Sequence, residues 1–182
     1  MPGCPLLMRL KLTLFLGCLP SLLVLTGCGR ENSAAATAAN PLQSAGGDDK
    51  IIPVNKDDPE MVAAIAKARS TLPQFWQTFD HPGPDDSDFS LKVRITDKSG
   101  AEHFWVTHIE RPGGLIFAVI NNDADIVKSV KLGDRIPVPE ANISDWMYMH
   151  GGKIVGNYTL RAEFKLMPPS EVAKYKEMLA DP

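Results

Sequence analysis

Past residue 28 the chain has no cysteine. The three it contains are Cys4, Cys18 and Cys28. Beyond them no disulfide, thiolate nucleophile or sulfur-bound metal is available, so the bulk of the chain relies on packing for its stability. Positive charge is not in excess either. Nineteen Lys and Arg stand against 22 Asp and Glu, a net charge of −3, which excludes the electrostatic footprint of a nucleic-acid binder. The longest apolar stretch, Leu12 to Val24, has 13 residues, short of the ~20 that cross a bilayer as a helix. The chain also lacks a Gly-x-Ser-x-Gly elbow, a His-x-x-x-His pair and an internal repeat.

What the N-terminus does hold is an address. Arg9 and Lys11 precede the apolar run, and Leu25-Thr26-Gly27-Cys28 follows it as a lipobox. Residues 1–27 therefore read as a lipoprotein signal peptide, cleaved after Gly27, with Cys28 receiving a diacylglyceryl group on its thiol and a further acyl chain on its freed amine. Each buried CH₂ contributes about 0.8 kcal/mol and one chain alone holds only reversibly, so several chains make a permanent anchor. Gly29, rather than Asp, after the lipidated cysteine points to the outer membrane and a periplasm-facing domain. The mature chain would carry 17 basic and 22 acidic residues, a net charge of −5.

Residues 28–54 form the lipidated cysteine and a tether. Gly29 to Lys50 is rich in Ala, Ser, Asn, Thr and Gly, with almost nothing large and apolar to bury. As a flexible coil it would span about 25 Å. Residues 55–182 suffice for one globular domain.

Within that domain Asp58-Pro59-Glu60 is a strong helix start, and Met61, Ile65, Ala68 and Leu72 fall on one face. Pro73 is expected to kink or break this helix, with Phe75, Trp76 and Phe79 as a further apolar cluster. Phe89, Leu91, Val93 and Ile95 alternate with polar residues as a half-buried strand, Asp97 to Gly100 turns, and His103 to Ile109 returns as a hairpin. After the turn at Arg111 to Gly114, Leu115 to Ile120 suggests a central strand buried on both sides. Ala124 to Val130 predicts a short helix, Arg135 to Val138 a brief strand, and Ser144 to Met149 another, closed by a hairpin turn at Gly151-Gly152. Tyr158 to Leu166 alternates like a strand, yet Leu160, Phe164 and Met167 have helical spacing with Asn157 as a cap, so both readings stay open. Pro169-Ser170-Glu171 opens a final helix with Val172, Tyr175 and Leu179 inward. The fold class is α+β, a mostly antiparallel sheet of five or six strands flanked by N-terminal and C-terminal helices.

Asp57-Asp58-Pro59, Thr71-Leu72-Pro73, Phe104-Trp105-Val106, Asn122-Asp123, Ser129-Val130-Lys131, Ile143-Ser144-Asp145-Trp146 and Gly156-Asn157 occur in an order that resembles the YegJ-like family of bacterial proteins. The resemblance covers about residues 55–167. It implies a domain of unknown function, often found behind a signal peptide, with no reaction or ligand to carry over.

Among residues able to do chemistry, His81, His103, His108 and His150 invite a metal. His103 and His108 are an odd number apart on one strand, however, which turns them to opposite faces unless a bulge intervenes. No metal site and no cofactor are expected. Asp145-Trp146 offers a wide apolar ring beside an acid, suited to stacking a sugar, a peptide or a peptidoglycan fragment. Equally, Trp146 belongs in a core with Asp145 bonding a nearby turn. Asp85 to Asp88 and Gly133-Asp134 lack calcium-loop spacing and read as solvated loops, and Lys128, Lys131 and Arg135 as an exposed polar face. The candidate binding surface is Asp145, Trp146 and His150. The chain reads as a membrane-anchored periplasmic lipoprotein, a noncatalytic binding or accessory module that meets an envelope protein or peptidoglycan. The alternatives are a small envelope hydrolase using Asp145 with His150, or an immunity-like protein against a secreted toxin.

Overall fold

The structure, a computed structural model, describes residues 58–181. The expected signal peptide, Cys28 and the expected tether lie outside the described residues. The described chain forms a six-stranded antiparallel sheet with helices at its N-terminal and C-terminal ends, the α+β arrangement expected. The strands are β1 (Asp86–Asp97), β2 (Gly100–Glu110), β3 (Phe117–Ile120), β4 (Arg135–Pro137), β5 (Ile143–His150) and β6 (Lys153–Gly156), in spatial order β4-β3-β2-β1-β5-β6. The helices are α1 (Pro59–Asp80), α2 (Tyr158–Glu163) and α3 (Pro169–Met178).

Helix α1 begins as its sequence dictates. Asp58 accepts hydrogen bonds from the Glu60 and Met61 amides, with Pro59 in the first turn. Pro73 does not break it: the helix runs unbroken to Asp80. The residues just beyond the proline account for this. Phe75 and Trp76 are buried in an aromatic cluster with Phe79, Phe89 and Trp146, with neighbouring ring centroids 4.9–6.1 Å apart. Packing on that scale outweighs the roughly 3 kcal/mol a helix-interior proline costs.

One face of the sheet turns its apolar residues toward α1. Leu91 and Val93 of β1, Phe104 and Val106 of β2, Ala118 and Ile120 of β3, and Ile143 and Trp146 of β5 form the main core with Ala68, Leu72 and Phe75. The Trp146 indole N–H donates to the Ala68 carbonyl at 2.9 Å, fixing α1 over β5. Strand β3 is not central, and it is fully buried on one face only, because Phe117 and Val119 point to the other side and are half-exposed. A smaller cluster on that opposite face joins Met147 and Ile154 to Leu160 and Leu179, packed with Phe164, Tyr175 and Met178.

Two segments differ from expectation for one kind of reason. Residues 124–130 form no helix. Their amides bond instead to two carboxylates of the β1–β2 hairpin: Glu102 accepts from Asp125, Ile126 and Val127, and Asp97 from Lys128 and Ser129, at 2.7–3.2 Å. With five successive N–H groups satisfied this way, helical carbonyl partners are not needed. The 158–167 segment resolves to helix α2 and a 3₁₀ turn at Phe164–Leu166. Asn157 does not cap α2 through its side chain; it stands at φ +52° and its amide meets the Met147 sulfur.

Gly156 ends β6 at φ +83°, and a Cβ there would overlap the Trp146 carbonyl oxygen and lie 2.6 Å from its indole Cε3. Gly156→Ala combines left-handed strain with overpacking against a core tryptophan and should destabilise the fold by about 2–4 kcal/mol. Urea unfolding followed by tryptophan fluorescence would show the midpoint fall, and an unchanged midpoint would refute the close approach.

Candidate functional site

Strand alternation separates the three residues singled out in the sequence. Trp146 faces α1 and is 2% exposed, while Asp145 faces the opposite side and is fully buried. His150 lies five residues further along β5, an odd separation that turns it away from the Asp145 face. It is exposed, and its Nδ1 meets Asp86 Oδ1 at 2.7 Å across the β1–β5 ladder. This histidine, with the Gly83 amide, holds the Asp86 carboxyl below its ordinary range. Asp145 and Trp146 therefore form no shared surface, and His150 is paired with Asp86 rather than Asp145.

Both oxygens of Asp145 are occupied. Oδ1 accepts from the Trp146 and Tyr158 amides at 2.9 and 3.2 Å, and Oδ2 from the Thr159 amide and hydroxyl, both at 2.7 Å. The Thr159 hydroxyl in turn accepts from Lys92 Nζ at 3.1 Å, and Lys92 stands 3.8 Å from Glu163. A carboxylate on a neighbouring strand thus satisfies the first amides of α2, the role assigned to Asn157 by sequence. Burial pushes the Asp145 pKa up, against the downward pull of Thr159 and Lys92. With every partner a donor, this carboxylate has no free lone pair aimed at a ligand. Its work is to hold α2 against the sheet.

The open part of the same sheet face carries an arrangement of cations and rings that sequence analysis missed. Cross-strand pairing sets Lys92 opposite Trp105 and Arg94 opposite His103. Lys92 Nζ lies 5.6 Å from the Trp105 ring centroid. On β3 and β4 the guanidinium of Arg135 lies 4.2 Å from the Phe117 ring and bonds Glu110 at 2.6 Å. Arg94, His103 and Arg135 are exposed, Trp105 and Phe117 half-buried. The signal was present in the alternation of Lys92 and Arg94 with the apolar residues of β1, but only the hairpin register lines these residues up with His103 and Trp105.

The second of the two strand histidines sits in a bulge. The β2–β3 register shifts between Thr107 and Glu110, with His108 at φ +48°. The two rings still take separate partners, His108 Nδ1 with Thr107 and His103 Nδ1 with Ser144 Oγ at 2.9 Å. Among the described residues no cluster of His, Cys, Asp and Glu has the geometry to hold a metal ion. Desolvation of the His103 ring, followed by the cations Lys92, Arg94 and Arg69, pulls its pKa down to about 4.

Two measurements follow. Asp145→Asn leaves one acceptor where two served and sets an amide N–H against the α2 donors, so it should cost about 2–3 kcal/mol of stability. An equilibrium denaturation matching wild type would contradict the assigned role. For His103 the folded pKa lies below the ordinary 6.5, so its contribution to stability is fully present above pH 6.5 and is lost as pH falls toward 4. His103→Gln should remove that part of the pH dependence, and a ring titrating near 6.5 by NMR would overturn the description.

Comparison with known proteins matches residues 58–180 to the family described as "Uncharacterized protein conserved in bacteria (DUF2314)". The chain is similar to the uncharacterised protein YegJ of Escherichia coli (strain K12), with 33% identity over 131 residues, 72% of this chain and 84% of that protein. It is also similar to a Neisseria meningitidis serogroup B protein named as an ankyrin repeat protein, with 30% identity over 125 residues, 64% of this chain and 49% of that protein. The chain thus spans about half the length of the second relative. No solved structure matches it. The chain belongs to the DUF2314 family of uncharacterised bacterial proteins, the YegJ-like family that its sequence resembles.

Proposed function

We propose that the protein is a lipoprotein of the bacterial envelope, anchored through Cys28 to the outer membrane and facing the periplasm, where it acts as a noncatalytic binding or accessory module. The observation that carries this reading is the lipobox Leu25-Thr26-Gly27-Cys28 directly behind a basic and then apolar N-terminus. Binding is favoured over hydrolysis by the placement of the candidate catalytic pair. Asp145 spends its lone pairs on α2 and on Trp146, and alternation along β5 turns His150 away from it. A general base must reach the proton it removes, and these two residues share no substrate position. The sheet face around the exposed Arg94 and the half-buried Trp105 is a better place to meet a partner than the hairpin from Asp145 to Lys153.

The anchor is tested in cells fed a labelled fatty acid. The wild-type chain should carry the label and fractionate with the outer membrane, whereas Cys28→Ser should be unlabelled and retain its leader. Identical processing and fractionation of the two, with label on neither, would remove the anchor and the compartment together.

A further inference from the structure

The described residues contain five methionines, and four of them meet in one apolar cluster. Met147 belongs to its buried part with Ile154, Leu160 and Leu179, while Met149, Met167 and Met178 pack against it half-buried. These three come from separate places. Met149 lies on β5, Met167 follows the 3₁₀ turn that leads into α3, and Met178 is the last residue of α3. Thioethers therefore bracket that helix at both ends. No residue of α3 is itself buried. Its other holds are the Tyr175 ring, stacked on Phe164 with centroids 6.5 Å apart, and Leu179 just past its end. Two cations also reach backbone carbonyls there, Lys153 on Glu177 and Arg161 on Ala180 at 2.7 Å.

We propose that Met149, Met167 and Met178 form an oxidation site that releases α3: a peroxide converts their thioethers to sulfoxides, which no longer pack on Ile154 and Leu179. In the step a sulfur lone pair attacks one peroxide oxygen, and an S–O bond forms as the O–O bond breaks. Sulfur is oxidised, the peroxide is reduced, and with hydrogen peroxide the second oxygen leaves as water carrying both hydrogens. Half-burial makes the three side chains both reachable and consequential. A sealed thioether is out of reach, and one on open surface takes up oxygen without disturbing a core. Met147 is the sealed case, 4% exposed, with its sulfur accepting from the Asn157 amide at 3.7 Å. Met61, half-buried in the first turn of α1, lies outside the cluster. Helix α3 is the element that gives way, because a ten-residue helix is too short to be stable without its packing and a polar sulfoxide is costly inside an apolar cluster. Its release uncovers Met147 and Ile154 and extends the open half of the second sheet face across β5 and β6, so oxidation enlarges the surface offered to a partner. The inference goes beyond the binding reading and does not depend on lipidation of Cys28.

The test treats the full chain, purified in neutral detergent, with hydrogen peroxide. Peptide mapping by mass spectrometry should place one added oxygen on each of Met149, Met167 and Met178 and none on Met147. Amide hydrogen exchange across α3 should then speed up about tenfold, while the α1 amides around Ala68 keep their protection. Methionine sulfoxide reductases acting on both sulfoxide epimers should restore the slow exchange. The double variant Met167→Leu with Met178→Leu keeps the apolar volume but has no sulfur at either end of α3, and peroxide should change its α3 exchange by less than about twofold. Rapid exchange of α3 before any peroxide would overturn the inference, since nothing would then be held. So would absence of oxygen at the three methionines, oxygen on Met167 and Met178 without faster α3 exchange, or a loss that the reductases do not reverse. Equal acceleration in the double variant, or in α1, would mark general damage instead and would overturn it as well.

Discussion

The fold depends on one buried carboxylate. Asp145 lies in the interior of β5, yet its partners belong to three places: its own strand at Trp146, the start of α2 at Tyr158 and Thr159, and through the Thr159 hydroxyl the β1 cation Lys92. A charge taken out of water is expensive unless donors surround it. Here the cost is met by groups that themselves need an acceptor, the free amides at the first turn of a six-residue helix too short to be stable alone. Helix and carboxylate therefore require each other. The coupling places α2 against the sheet and, through Leu160, completes the smaller apolar cluster.

Glu102 and Asp97 repeat the device on the opposite face. Five consecutive amides from Asp125 to Ser129 converge on these two side chains, and Val127 is driven into the core beneath them. The loop from 121 to 134 is thereby fastened over the β2–β3 half of the sheet that α1 leaves to it. Acidic residues of a strand hairpin thus act as fasteners for irregular backbone. A carboxylate accepts several N–H donors at once and needs no helical or strand geometry from the segment it binds.

Between these two fastenings the second face of the sheet remains open over β2, β3 and β4. Its aromatic residues lie low and its cations stand out, with Lys92 shared between the Thr159 network and the rim of this face. The network that anchors α2 and the open half of the face thus touch through one lysine. Arg94 takes no part in the Asp145 network, whereas Lys92 belongs to it through the Thr159 hydroxyl.

Much of the architecture was legible in one dimension. Period-two alternation located β1, the turn from Asp97 to Gly100 returned the chain as β2, Asp58-Pro59-Glu60 set the start of α1, and Gly151-Gly152, with φ of +53° and +78°, marked the β5–β6 turn. These signals are local, because a cap, a turn or a strand face is decided within a few residues. What only the tertiary structure decided is which distant groups share a partner. Pro73 stays helical because rings from β1 and β5 hold the residues after it. Residues 124–130 stay irregular because the carboxylates of Asp97 and Glu102 reach them, and Asp145 caps a helix begun 13 residues later. The site divides in the same way. The residues Asp145, Trp146 and His150 were visible as chemistry, but strand alternation sent them to separate environments. The Arg94, His103 and Trp105 face came into being only when the hairpin register set one strand beside the next.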